Sequence, residues 1–204
     1  MTSATGARYA LYFAPPPQSA LHRFGSRWLG RDAASGACIA RPPVAGVTPE
    51  RLAEITASPA RYGFHATLKA PFRLADGCDE AGLVEAVATL LASREAFMSP
   101  SLRLERIDGW RALVLAAPCP QMQALCDELV AGLDRFRATP TPAEDARRLR
   151  DGRLSARQQA LYRRWGYPHV FDQFRFHMTL TSPLDDAEGT LVDAALAPLV
   201  APLA

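Results

Sequence analysis

The chain has 204 residues, 49% of them hydrophobic and 22% charged, and its 23 Lys+Arg against 21 Asp+Glu give a net charge of +2. A balance this even excludes a blanket electrostatic partner such as duplex nucleic acid, which shows as a strongly basic face, and no run approaches the roughly 18 apolar residues that cross a membrane. Of the 23 cations 22 are Arg, the bias of a GC-rich genome, and one is Lys69.

Met1 to Ala7 is small and polar, without the charged start and apolar core of a signal peptide, so a cytoplasmic location is expected. Arg8 to Phe13 reads as a strand, stopped by Pro15, Pro16 and Pro17. Ser19 caps a helix from Ala20 to about Leu29, and Gly30 to Pro49 is loop-like. Thr48-Pro49-Glu50 opens a second helix that should end before Ser58-Pro59. Phe64 to Leu74 reads as a strand. Asp79 to Ser93 is a helix by the spacing of Leu83, Val84, Val87, Leu90 and Leu91. Leu102 to Ile107 and Trp110 to Ala116 form a hairpin about Asp108-Gly109. Pro120 to Arg137 is a helix with Met122, Leu125, Leu129, Leu133 and Phe136 on one face.

Thr139 to Trp165 breaks the rhythm. It is Arg-rich (Arg147, Arg148, Arg150, Arg153, Arg157, Arg163, Arg164), partly offset by Glu144, Asp145 and Asp151. It reads as a helical insertion with a solvated face, or as a cationic flap over an anionic ligand. Phe174 to Leu184 is a last strong strand and Glu188 to Leu203 a closing helix. No low-complexity linker divides the chain, and interleaved helices, strands and a hairpin point to an α+β fold. Cys38, Cys78, Cys119 and Cys126 fit no paired zinc spacing and read as reduced, mostly buried thiols.

Two of these strands share a pattern. Phe64-His65-Ala66-Thr67-Leu68-Lys69-Ala70-Pro71-Phe72 aligns with Phe176-His177-Met178-Thr179-Leu180-Thr181-Ser182-Pro183-Leu184, identical at five of nine positions and 112 residues apart. Alternate side chains of a strand share a face. His65, Thr67 and Lys69 therefore face one way, as do His177, Thr179 and Thr181. Phe64, Ala66 and Leu68 face the other way with Phe176, Met178 and Leu180, as an apolar back. A polar front in mid-strand is costly unless solvated or used.

Two imidazoles can divide general-base and general-acid work near neutral pH, while hydroxyls and an ammonium suit phosphoryl oxygens. That composition favours attack on a phosphodiester, with Thr67 and Thr179 holding the non-bridging oxygens. A zinc site is a weaker reading, because the fronts lack a third Cys, Asp or Glu ligand. A single His-x-Thr would read as a satisfied core histidine; a matched pair does not.

The paired strands resemble the two-histidine (2H) phosphoesterase superfamily. Tyr62 to Lys69, Phe24 to Asp32 and Phe174 to Thr181 are similar to its phosphonate-metabolism branch, encoded beside the carbon–phosphorus lyase system. The resemblance implies a single bilobal domain over residues 1–204: two pseudo-twofold-related β-sheet lobes, helices outside and a central cleft. It implies a metal-independent, cofactor-free cyclic phosphodiesterase with His65, Thr67, His177 and Thr179 as catalytic residues. Its expected substrate is a small cyclic or nucleotide-like phosphodiester such as ribose 1,2-cyclic phosphate. The alternative is a nucleotide or RNA-end binding module without turnover. Lys69, as the one lysine, is expected to contact phosphate or tune His65. Thr181, Tyr62, Arg175, Tyr12 and Trp28 are candidate substrate contacts, each weighed against plain packing or ion pairing. His22 and His169 have no repeat support and are read as non-catalytic.

Overall fold

A computed structural model describes residues 6–150, 152 and 154–203 of the chain. Asp151 and Arg153 of the Arg-rich segment, and the first five residues, lie outside the described residues. The fold is α+β. Strands β1 (Tyr9–Phe13), β2 (Ala66–Phe72), β3 (Leu102–Ile107), β4 (Trp110–Leu115) and β5 (His177–Thr179) form one sheet in the order β1-β2-β5-β4-β3. The pairs β2·β5, β5·β4 and β4·β3 are antiparallel. The expectation of one sheet per lobe is corrected here: the two motif strands are hydrogen-bonded neighbours in a single sheet. Ala66 pairs with Met178, and these occupy equivalent places in the repeat.

Seven α-helices are described: α1 (Ala20–Leu29), α2 (Pro49–Ala60), α3 (Glu80–Ala92), α4 (Pro120–Gly132), α5 (Pro142–Leu149), α6 (Ala156–Trp165) and α7 (Asp186–Val200). Local chemistry sets most of their starts. Ser19, Thr48, Asp79, Thr141, Ser155 and Asp185 each accept a backbone N–H with a side-chain oxygen, which satisfies a donor that the first turn orphans. At the hairpin, Asp108 (φ 46°) and Gly109 (φ 91°) are both left-handed, as a two-residue turn between twisted strands requires.

Three expected boundaries move. α2 runs through Pro59 to Ala60. Proline cannot donate to the carbonyl four residues back, and that carbonyl, of Ile55, instead accepts Ser182 N–H at 2.7 Å. The last strand shrinks to three residues. Leu180 and Thr181 both aim their N–H groups at Arg111 O, at 2.8 and 3.3 Å, so the ladder ends in a bulge-like doubling. α4 stops at Gly132, and a 3-10 turn over Asp134–Phe136 carries Phe136 into a core with Phe72, Leu83, Leu129 and Leu133.

The chain divides into two compact units. The first holds the chain up to Leu11 with Leu68–Met98 and Cys119–Arg175. It contains the Phe72–Phe136 core and a smaller cluster of Val130, Leu161 and Val170. The second holds Tyr12–Thr67, Ser99–Pro118 and Phe176–Ala204. In it Met178, Leu113 and Ala66 form the buried back of the motif strands, each at most 1% exposed. Arg111, 3% exposed, is neutralised by Asp193 of α7 through Nη2–Oδ2 at 2.8 Å. Of the four thiols, Cys119 and Cys126 are buried, and burial pushes Cys126 up to about 12.

Candidate functional site

Both His-x-Thr pairs fall in the second unit, and the sheet brings them together. One step either way from Ala66↔Met178, the antiparallel register sets His65 opposite Thr179 and Thr67 opposite His177. Opposed residues share a face, so the four side chains make a quadrilateral with the imidazoles on one diagonal. Such diagonals span roughly 7–8 Å between Cα positions, a gap that one phosphoryl group can bridge.

The turn before β2 fixes His65. Gly63 adopts φ 79°, and a Cβ there would collide with that of Ala33, so only glycine fits. Its carbonyl lies 2.8 Å from His65 Nδ1. A carbonyl can only accept, so the Nδ1 atom carries the proton. Nε2 is left as the basic nitrogen, 3.3 Å from Thr67 Oγ1. Burial pushes the His65 pKa below its ordinary value. The Gly63 carbonyl opposes this, and the nearby His177 adds to the lowering. At neutral pH His65 is therefore a neutral imidazole with its lone pair on Nε2.

Aromatic rings flank both imidazoles. The Tyr12 ring centroid is 3.9 Å from that of His65, and Tyr62 lies at 6.5 Å on an exposed turn. Trp110 stands 5.2 Å from His177. The sequence marks Trp110 only as the start of a return strand. Its place beside the motif follows from the β4·β5 register (Ala112↔Thr179, Val114↔His177), which no local pattern reveals.

Four other candidate contacts have the following surroundings. Lys69 belongs to the first unit and is 4% exposed; its ammonium donates to Val130 O at 3.0 Å and sits 5.1 Å from the Phe72 ring. Burial pushes its pKa down to about 8, with Asp134 opposing and Arg137 adding. Thr181 is 1% exposed, and its hydroxyl accepts Arg111 N–H at 3.0 Å. Trp28 is fully buried, with Nε1 donating to Leu180 O at 3.0 Å. It anchors the segment after β5 and offers no platform. Arg175 is exposed and lies in the first unit, and Asp172, the acid weighed as its partner, pairs with Arg157 at 2.6 Å. His22 contacts Asp32 at 3.3 Å and Ser26 at 3.4 Å. Among the described residues no group of three His, Cys, Asp or Glu side chains could hold a metal ion, and no helix is long and apolar enough to cross a membrane.

The profile of one protein family, described as DUF1045, a protein of unknown function, matches residues 67–204. The chain belongs to this family. Two curated relatives are each named ribose 1,5-bisphosphate phosphokinase PhnN. That of Janthinobacterium sp. (strain Marseille) is 39% identical over 192 residues, covering 94% of this chain and 42% of the relative. That of Laribacter hongkongensis (strain HLHK9) is 43% identical over 181 residues, covering 89% of this chain and 41% of the relative. The chain thus spans less than half the length of these relatives. No solved structure matches it.

These relatives correct the expected activity. They are named for a kinase reaction, transfer to a phosphorylated ribose, and not for hydrolysis of a cyclic phosphodiester. The reason for the error is chemical. Paired imidazoles and hydroxyls suit phosphoryl oxygens in either reaction, so the motif alone does not choose between water and a sugar phosphate as the attacking group.

Proposed function

We propose that this chain holds a phosphorylated ribose for the kind of reaction named in its relatives, phosphorylation of ribose 1,5-bisphosphate. The observation that carries this is the quadrilateral of His65, Thr67, His177 and Thr179, with His65 held neutral and lone-pair-outward between aromatic rings. In this reading the two threonine hydroxyls and His177 hold phosphoryl oxygens, and Tyr12 and Trp110 pack on the sugar. His65 Nε2 takes the proton of the acceptor oxygen as that oxygen bonds to the incoming phosphorus and the donor's P–O bond breaks.

The phosphoryl donor is assigned to the part of the relatives outside the matched stretch. The one lysine here follows His65-Ala66-Thr67-Leu68 rather than a glycine-rich phosphate loop. The two-histidine superfamily supports the reading at the level of arrangement, paired His-x-Thr strands that cradle a phosphate. The name shared by the relatives fits the phosphonate-metabolism branch that the sequence resembles. Calorimetric titration with ribose 5-phosphate and ribose 1,5-bisphosphate tests it. Wild type is expected to bind both, and His177→Ala to weaken binding by about tenfold or more, the effect of losing a charge-assisted hydrogen bond. Absence of binding, or wild-type affinity in His177→Ala, would overturn it.

A further inference from the structure

Within the first unit, the Pro71–Arg73 end of β2, helix α5 and the Gly166 turn after α6 wall a cavity of about 50 Å³. Five arginines line it: Arg8, Arg73, Arg137, Arg147 and Arg148. The lining has one carboxylate, Glu144. Five arginines face Glu144 around one small space, and even with Asp134 on Arg137 and Asp145 on Tyr162 just behind the lining, positive charge exceeds negative there. Codon bias accounts for arginine as the residue type, not for this imbalance. Elsewhere several arginines meet acids directly, as in Arg51–Glu188, Arg94–Glu128 and Arg111–Asp193.

Four of the five guanidinium groups are held in place. Arg8 donates to Pro71 O at 3.0 Å, and Arg73 donates to Thr139 O at 3.0 Å and to Glu144 at 3.1 Å. Arg137 bonds Asp134 at 2.8 Å and Arg164 O at 3.1 Å, and Arg148 lies over the Tyr167 ring at 5.4 Å. Gly166, at φ 74°, lets Arg137 lie against the wall, since a Cβ there would stand 3.0 Å from Arg137 Nη1. Forks fixed by carbonyls, a carboxylate and a ring lose little freedom when an anion arrives, and they match the tetrahedral oxygens of phosphate.

We propose that this cavity is an anion site for a phosphomonoester group, separate from the His-x-Thr face. Its volume suits one phosphoryl group, and the ester substituent extends to solvent past the exposed Arg147 and Arg148 of α5. The Arg-rich insertion is thereby a binding element and not only a solvated face.

The test uses the full chain carrying His65→Ala and His177→Ala, so that the motif face does not contribute. Methyl phosphate and inorganic phosphate are titrated at low ionic strength and followed by phosphorus NMR. Saturable binding of methyl phosphate is expected, at least as tight as that of inorganic phosphate. Adding Arg147→Gln with Arg148→Gln should weaken it at least tenfold, and Arg147→Glu should do the same by charge reversal. Both positions are exposed, so the fold is not at risk. Arg106→Gln, which removes an exposed ion pair with Asp186 in the second unit, should change nothing. No saturable binding, or equal affinity after the Arg147 and Arg148 changes, would overturn the site. Binding of inorganic phosphate alone would overturn the monoester assignment.

Discussion

Lys69 places an ammonium at 4% exposure with one carbonyl acceptor, and its pKa falls from 10.5 to about 8. A lowered lysine pKa means that the folded state releases its proton before the unfolded state does. Below about pH 8 both states are protonated and the full burial penalty is present. Between about 8 and 10.5 the unfolded chain binds more protons, so stability rises with pH in that window. At 1.36 kcal/mol per tenfold, the whole window is worth about 3 kcal/mol. Cys126, pushed up from 9.0 to about 12, opposes this above about pH 9, and Tyr162, pushed up from 10.0 to about 12, above about pH 10. The useful quantity is therefore the difference between wild type and Lys69→Met. Urea unfolding at pH 7 and pH 10 should show wild type gaining about 2 to 3 kcal/mol relative to the variant. Parallel pH dependences would refute the reasoning and return Lys69 to a solvated, ordinary ammonium.

Further outcomes follow from the same geometry. Gly63→Ala should destabilise the protein by about 1–3 kcal/mol, because it meets Ala33 at a left-handed φ; thermal unfolding reads it. Asp193→Ala strands the buried Arg111 charge and should cost about 3–5 kcal/mol in denaturant unfolding, more than the loss of the exposed Arg106–Asp186 pair. His177→Ala removes a charge that lowers the His65 pKa, so NMR titration should find the His65 pKa raised toward its ordinary value. Trp28→Phe loses the bond to Leu180 O and should cost about 1 kcal/mol or somewhat more.

Much of the fold is legible locally. Ser19, Thr48 and Asp79 announce helix starts, Asp108-Gly109 announces a hairpin, and the repeat announces which strand face carries His65 and His177. What escapes is set by distant partners. The end of α2 depends on Ser182 taking the carbonyl that Pro59 frees, and the end of β5 on Arg111 O accepting two N–H groups. Strand parity puts Lys69 and Thr181 on the polar front, yet Val130 O and Arg111 N–H claim them. Trp110 joins the site only through strand order. The reaction class escapes for another reason. The same imidazoles and hydroxyls serve hydrolysis and transfer, and the kinase name is that of relatives more than twice the matched length.

On the proposed function, His65, Thr67, His177 and Thr179 form one site for a phosphorylated ribose. Its most direct test follows the imidazole nitrogens of His65 and His177 by NMR while ribose 1,5-bisphosphate is added. Both imidazoles are expected to shift together along a single saturation curve, and Thr67→Val with Thr179→Val to abolish it. Imidazoles that stay unmoved while the ligand binds elsewhere on the chain would contradict it.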